Sequence, residues 1–402
     1  MSSSHCSCAR SSSASGAGGP GAGDEAISCL MEMLASIEDP RDPRGVQYKL
    51  EFVLAVVVVA TLAGARGYAE IARRARDLSQ ELLRKIRSRW DHFRLLYRWP
   101  SQAAIRCVLT GIDGDKMSKI VGKWLFRHVR KDGDGNWSLA LDGKVMRGAW
   151  TDENNQVTLF SAMMQREAVT IAQVSVPAET NETTQARSLL EVLDAIGIPE
   201  GDAVLLTFDA AHTCKETAAE VKKVPGFDYL MNVKGNRKKL HRAVFDKVLP
   251  LIQEEPHDLI RERSRGRIRV WSCWICDADG IELPSASQVA VIRREVFEVS
   301  GQRVSKEHAF MITSREAGKM TARDVNRETR EHWGIENKSH YPRDTVYRED
   351  HNQTWKENGP QNLATMHTLA IGLIHLKGIS AVKETTEWIA GDRMRALQFM
   401  AT

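Results

Sequence analysis

The feature that most constrains this chain is a change of texture at Lys131-Asp132-Gly133-Asp134-Gly135-Asn136, a run of charged and turn-forming residues. Before it, apolar residues recur at helical spacing. After it come short β-branched and apolar runs divided by turn residues. With 402 residues there is room for two or three units at roughly 100–200 residues each. We expect a leader over 1–24, an all-helical unit over 25–131 and an α/β unit over 137–402. The stretch from Met1 to Gly23 is almost all Ser, Ala and Gly, without a basic start followed by an apolar run. It reads as a disordered leader rather than a secretory signal.

In the helical part, a helix is expected from Asp24 or Glu25, then a Pro-rich connector over Asp39-Pro40-Arg41-Asp42-Pro43. The apolar run Phe52 to Ala65 is shorter than the roughly 20 residues of a membrane span and is bracketed by Glu51 and Arg66, so we read it as a buried helix, with no membrane partner. Tyr68, Ile71, Ala72 and Ala75 form one helical face beside Arg73, Arg74 and Arg76. Those arginines are either a solvated face or a DNA-facing one. Ser101 caps a further helix through Leu109. A net charge of +4 permits a nucleic-acid partner without demanding one. Seven scattered cysteines imply no disulfide framework and suit a reducing cytoplasm. The Cys273–Cys276 pair lies in a strand-like stretch, where residues three apart diverge, which argues against a zinc site.

Beyond the boundary we expect strands at Ser138 to Val145, Thr158 to Gln165 and Val169 to Val176. A helix over Thr184 to Ile196, a strand over Val204 to Phe208, a helix over Lys215 to Lys223 and a strand over Tyr229 to Val233 follow. This order argues for a mixed sheet covered by helices. A β-rich insertion is expected over about 237–315, with strands at Ile268 to Cys276, Gln288 to Glu298 and His308 to Thr313. A helix resumes at Thr321.

Asp142 and Asp209 each follow an apolar strand-like run, where open α/β sheets gather ligands. A strand-terminal Asp also caps turns, so neither is decisive singly. Together they carry a desolvation cost unless they share a cation, and hard oxygen ligands select Mg²⁺ or Mn²⁺. Two ions about 4 Å apart suit phosphodiester chemistry. Basic and polar residues accompany them: Lys144 and Arg147 after the first, His212 after the second, and Lys234, Asn236 and Lys238 at another strand end. Such residues meet a phosphate backbone. No GxxxxGK[ST] loop, GxSxG elbow or HExxH motif competes. Cys214 beside His212 is the nearest rival, and a Cys more often fills a small buried space.

At these residues the sequence resembles the DDE transposases of bacterial insertion sequences, in the branch of the H-repeat-associated proteins, over about residues 25 to 376. Asp39-Pro40-Arg41, Tyr48-Lys49-Leu50, Leu62-Ala63-Gly64-Ala65-Arg66 and Pro100-Ser101 resemble the associated helical domain. Leu141-Asp142-Gly143-Lys144 with Arg147-Gly148, then Asn181-Glu182, Asp209-Ala210-Ala211-His212 and Tyr229 to Asn236, resemble the catalytic motifs in order. His332-Trp333-Gly334-Ile335-Glu336-Asn337, His340, Asp344 and Glu349-Asp350 resemble the Glu motif, and Asn362-Leu363-Ala364 the closing helix.

The resemblance implies a ribonuclease-H-like α/β core, with Asp142, Asp209 and Glu336 as catalytic ligands of two Mg²⁺ or Mn²⁺ ions. His212, His332, Trp333, Asn337, His340 and Asp344 support them. It further implies cleavage at transposon ends, transfer to target DNA, and a homo-oligomer acting on double-stranded DNA. A DNA-binding derivative without turnover and a nuclease that never joins strands are the alternatives. Departures are Thr180, Ser339, Pro342 and Arg343, of which Ser339 and Arg343 replace apolar residues. Among the nearby acids Glu336, Asp344, Glu349 and Asp350, Glu336 is favoured because it shares a helical face with His332 and His340. Trp333 and Ile335 are expected to pack that helix to the sheet, and Pro342 should kink or end it.

Overall fold

The computed structural model describes residues 22–129, 136–150, 156–176, 180, 182–198, 202–353 and 356–401. The expected leader, apart from its last residues, lies outside them, as do Asn181 and the turn-rich boundary at 131–135. The helical part comprises α1 (Ala22–Ala35), α2 (Leu50–Leu62), α3 (Tyr68–Arg76), α4 (Gln80–Lys85), the hairpin strands β1 (Trp90–Asp91) and β2 (Leu96–Tyr97), α5 (Gln102–Gly111) and α6 (Gly114–His128).

Every residue of α2 except Glu51 is buried, which explains a helix apolar all round: its neighbours enclose it. None of the described helices is long and apolar enough to cross a membrane. The connector motif acts as a clasp. Arg41 donates to both oxygens of Asp39 at 2.8 and 2.7 Å and to the Tyr48 carbonyl at 2.9 Å, while the Tyr48 hydroxyl donates to the Trp99 carbonyl at 2.9 Å. Ser101 caps α5 as expected, its Oγ accepting from the Ala104 amide at 3.2 Å.

The α/β part runs β3 (Asn136–Trp150), β4 (Gln156–Met164), β5 (Val169–Val176), α7 (Glu182–Ile196), β6 (Ala203–Phe208), α8 (Lys215–Lys223), β7 (Phe227–Val233) and α9 (Lys238–Val248). It continues through β8 (Asp258–Ser264), β9 (Arg267–Asp277), β10 (Gln288–Glu298), β11 (Arg303–Thr313), α10 (Ala322–His332), a π turn at Ile335–His340, α11 (Tyr341–Thr345), α12 (Gly359–Leu376), α13 (Val382–Gly391) and α14 (Ala396–Met400). These strands form one nine-stranded sheet in the order β5-β4-β3-β6-β7-β11-β10-β9-β8. β6 pairs in parallel with β3 and β7, and the remaining pairs are antiparallel.

The stretch read as an insertion therefore extends the main sheet, through β11 against β7 from Phe310↔Val233 to Thr313↔Leu230. It opens with α9, whose apolar face is too short-ranged in sequence to stand out from the surrounding Lys and Arg.

Because strand side chains alternate, the sheet has two distinct faces. Leu139, Leu141, Leu206, Phe208, Tyr229 and Met231 point into a large core shared with the helices α1 to α8 and α12. A Cβ on Gly122 would lie 1.9 Å from the Ile171 carbonyl oxygen, so α6 rests directly on β5 and only glycine fits. On the other face Leu205, Leu230 and Met311 pack with Val325 of α10, and Ala140 and Met163 pack with Ile335. Cys273 belongs to this second face and Cys276 packs against the first, so the CxxC thiols diverge as the strand pattern requires.

Candidate active site

Parallel pairing brings the two aspartates together. Leu141 is opposite Phe208 at the last register position of β3 and β6, so Asp142 and Asp209 come next, where β6 leaves the sheet. Asp142 lies within a strand rather than at its end: the strand expected over Ser138 to Val145 runs on to Trp150, paired with β4. What ends is its neighbour, and the opening left beyond Phe208 is where the carboxylates sit. Alternation puts Asp142 on the face of Ala140, and Asp209 on the face of Leu205 and Thr207. That is the face covered by α10 and the π turn.

The Glu336-bearing segment is tied to this face at several points. Thr321 starts α10 with a capping box to Asp324. Near its end, His332 Nδ1 lies 2.7 Å from Thr207 Oγ1, which also accepts from Gln165 Nε2 at 2.7 Å. Ile335 is fully buried between Ala140, Met163 and Ala168. Trp333, expected to share that packing, is instead 51% exposed, with the Arg294 guanidinium 5.5 Å from its ring centroid. The backbone widens into a π turn over Ile335–His340, where the Tyr341 amide donates to the Glu336 carbonyl. Pro342 has no amide to continue the regular pattern, so the irregularity falls on the turn before it and the helix ends at Thr345.

Asp209, Glu336, His332, Thr207, Asn232 and Lys234 line one cleft of about 320 Å³. Its charges are unevenly compensated. Burial pushes the Asp142 carboxyl up to about 6, with repulsion from Glu336 and Asp209 adding to it and the Gly143 amide opposing it. Burial acts on Asp209 too, but the Ala210 amide and the Lys234 ammonium 3.0 Å away bring its carboxyl below the usual range. His340 Nδ1 is 3.4 Å from Asp142 Oδ2, yet burial and the charges of Arg343 and Lys144 push its pKa down to about 3. Burial likewise lowers His332 to about 4. Burial thus favours the neutral ring in both, although the His332 charge is among the influences that lower Asp209.

The donor set fits a divalent cation: carboxylate oxygens are hard ligands, and the repulsion that raises Asp142 would be relieved by positive charge. Among the described residues no three His, Cys, Asp or Glu side chains are close enough to enclose an ion as they stand. The three acids are near enough to repel, not drawn into one shell.

Other expected site residues are placed differently. Lys144 is buried at 6% exposure and engages Asp344 at 2.5 Å and Asp350 at 3.6 Å, so it faces inward rather than toward a phosphate. Arg147 is exposed, with its guanidinium 3.8 Å from Asp350. Gly148 follows because a Cβ there would meet the Asp350 and Asn352 carbonyl oxygens at 2.8 Å. His212 is buried and stacks on Phe160, ring centroids 4.5 Å apart. Cys214 caps α8, its Sγ accepting from the Thr217 amide, which is a structural task. Asn236 donates to the Ala210 carbonyl at 3.0 Å and Asn337 to the Trp333 carbonyl at 3.0 Å. Lys238 is exposed at the start of α9. Arg73 and Arg76 are exposed on α3, outside the acidic cleft, and Arg74 is half-buried.

Sequence reasoning missed one cluster. Glu349 receives Arg343 Nε at 2.8 Å and lies 2.7 Å from His367 Nδ1, all three being at most 1% exposed. Tyr347 stacks on His367 with centroids 4.2 Å apart. The available signal was polar residues inside an apolar helix: Asn362, which donates to the Leu109 and Ile112 carbonyls at 2.9 and 2.7 Å, and His367 one turn on.

Sheet and cleft together define an α/β protein with an acidic, cation-seeking cleft where strand pairing changes. The chain belongs to the transposase DDE domain family, whose model matches residues 136–373, and the DDE_Tnp_1-associated model matches residues 31–125. It is similar to the H repeat-associated putative transposase YhhI of Escherichia coli (strain K12), 26% identical over 359 residues, 86% of this chain and 90% of the relative. Putative transposase YncI of Escherichia coli O157:H7 is 27% identical over 369 residues, 87% of each chain. A piggyBac transposase synaptic complex with hairpin DNA aligns with 94% of this chain and 78% of that one at 11% identity and a TM-score of 0.39, too loose a likeness to bear on the fold.

Proposed function

We propose that the chain is a DNA transposase that cuts strands at the ends of its element and joins them to target DNA, with Asp142, Asp209 and Glu336 as ligands for two Mg²⁺ or Mn²⁺ ions. The observation that carries this reading is the Leu141↔Phe208 register, which leaves Asp142 and Asp209 side by side under the Glu336 segment. Strands β3, β6 and β7 with their covering helices support a ribonuclease-H-like core. Bound cations would lower the pKa of a water or 3′-hydroxyl and neutralise the leaving oxygen.

The chain's own residues hold and orient. Lys234 carries positive charge beside Asp209, where a phosphate would approach, and Asn236, Lys238 and Arg147 contact the DNA backbone beyond the cleft. The neutral His332 fixes its turn of helix to Thr207. Lys144 positions Asp344 and Asp350 rather than meeting the substrate. Arg73, Arg74 and Arg76 contact end DNA through phosphates. Two ends must be cut together, which calls for a homo-oligomer, working in the bacterial cytoplasm on double-stranded DNA.

The test uses a duplex taken from the DNA bordering the gene. Asp142→Asn, Asp209→Asn and Glu336→Gln should each reduce Mg²⁺- or Mn²⁺-dependent cleavage at least 100-fold, as loss of a charged ligand requires, while duplex binding persists. Cleavage retained in a variant removes that residue from the site. A wild type that cuts but does not join in a strand-transfer assay reduces the activity to that of a nuclease.

A further inference from the structure

The β1–β2 hairpin is an exposed finger that the acidic cleft does not use. Its tip, His92-Phe93-Arg94-Leu95, is entirely exposed, with Phe93 at 101% and Leu95 at 73%. An apolar tip in water is costly unless something covers it. The finger is nevertheless well formed. Asp91 Oδ1 accepts from the Phe93 and Arg94 amides at 3.0 and 3.2 Å, and Leu95 turns the chain with φ +52°. Trp90 meets Tyr97 edge to face, centroids 4.9 Å apart. Gln80 of α4 pairs with the Tyr97 backbone in both directions, at 2.6 and 3.1 Å, holding the stem to the body of the protein. A stem so braced can transmit force to its tip.

Its charge is one-sided. Arg87, Arg89, Arg94 and Arg98 lie along the hairpin with Asp91 as its acid. Asp91 is occupied with the turn and with Arg98 at 3.7 Å. Arg89 and Arg94 are exposed, and Asp91 is the acid that the Arg94 charge acts on. Beside the stem, Arg94, Arg98 and Ser101 border a hollow of about 480 Å³. Cations flanking a bare aromatic tip complement a polyanion whose interior is a stack of apolar rings, and they would disfavour a second copy of the same positive finger.

We infer that this hairpin is a DNA-engaging finger: Phe93 and Leu95 wedge against base steps in a groove while Arg89 and Arg94 bind the adjacent phosphates. The inference rests on the transposase reading and names a contact separate from Arg73, Arg74 and Arg76. The test is duplex binding by the full chain between 50 and 200 mM salt, using the same border duplex, with solution mass measured alongside. Phe93→Ala with Leu95→Ala should weaken binding about tenfold, the scale of one lost stacking contact, at an unchanged salt slope. Arg89→Ala with Arg94→Ala should lower the log–log slope by about 2, at roughly 0.9 per phosphate. Circular dichroism should be unchanged in both, since the tip is solvent-exposed. Wild-type binding that neither pair of substitutions alters overturns the finger alone, and so does a fall in solution mass of the Phe93/Leu95 variant, which would assign the tip to a second copy. A wild type that binds no duplex overturns the transposase reading with it.

Discussion

Glu349 is sealed, fully buried and gripped by Arg343 and His367, whereas Asp142 is half-buried, faces two other acids and has only a neutral histidine beside it. Both belong to the same acidic neighbourhood, since Lys144 bridges from β3 to Asp344 and Asp350, one residue beyond Glu349. Their electrostatics run in opposite directions. Burial would raise the Glu349 carboxyl, but the Arg343 charge and the His367 hydrogen bond pull it well below the usual range. Burial raises Asp142 and its acidic neighbours raise it further. A closed cluster answers its own charge; an open one leaves charge to be answered by something that binds. That difference separates an acid that holds the fold from one placed to do chemistry.

The most forceful way to break the comparison is Glu349→Gln. It strands the Arg343 guanidinium in the core, and removing one partner of a buried pair costs about 3–5 kcal/mol. Melting should fall by roughly 4–6 °C, at about 1.2 °C per kcal/mol for a chain of 402 residues. The pH sign follows from a depressed carboxyl: its stabilisation is present above the unfolded value near 4.5 and is lost as pH falls toward the folded one. The gap between wild type and variant in urea unfolding should therefore begin to narrow as pH falls below about 4.5 and keep narrowing well below that. A difference under 1 kcal/mol at pH 7 would mean the cluster is not closed.

A smaller effect of opposite sign is expected at Asp142. Its carboxyl is raised to about 6, so the metal-free fold is penalised as pH rises from the unfolded value near 4 through 6, and the full penalty persists above. Asp142→Asn should make the metal-free protein more stable at pH 8 by on the order of 2 kcal/mol, and less so at pH 5. Saturating Mn²⁺ or Mg²⁺ should raise the wild-type melting point at pH 8 and leave the Asn variant nearly unmoved. Equal metal-induced shifts in the two proteins would show that Asp142 is not part of a cation site.

Much of this contrast is legible in the order of the amino acids. Period-two runs ending at Phe208 and continuing through Asp142 mark the strands, and their parallel pairing follows from the intervening α7. Helical spacing puts His332, Glu336 and His340 on one face. What sequence does not reach is partner choice. Lys144, adjacent to the Asp142-Gly143 motif, reads as a phosphate contact until the fold brings Asp344 and Asp350, 200 residues away, onto its ammonium. Arg343 reads as a departure from an apolar pattern until Glu349 and His367 meet it in the core. Local periodicity fixes which face a side chain occupies, but long-range topology decides what waits there. Trp333 departs from expectation for the converse reason: an aromatic on an amphipathic helix usually packs, and here the buried contact goes to Ile335.

The smallest effect tests the boundary between the two clusters, at Asp344. Its carboxylate receives Lys144 Nζ at 2.5 Å but is itself 37% exposed, so solvent screens much of the interaction. Asp350, at 3.6 Å and 23% exposed, remains as a second counter-charge when Asp344 is lost. Asp344→Asn should thus cost no more than about 1 kcal/mol, the range for a partly exposed pair. Cleavage should drop only a few-fold, because the amide still accepts from Lys144 and the Glu336 turn lies upstream of it. Replacing Asp344 and Asp350 together leaves a buried ammonium unpaired and should cost clearly more than the two single changes combined, as coupled partners do. Simple additivity in that double-mutant cycle would mean that Lys144 finds its compensation elsewhere. Loss of cleavage in Asp344→Asn, with Glu336→Gln still active, would move the third acid of the open cluster from Glu336 to Asp344.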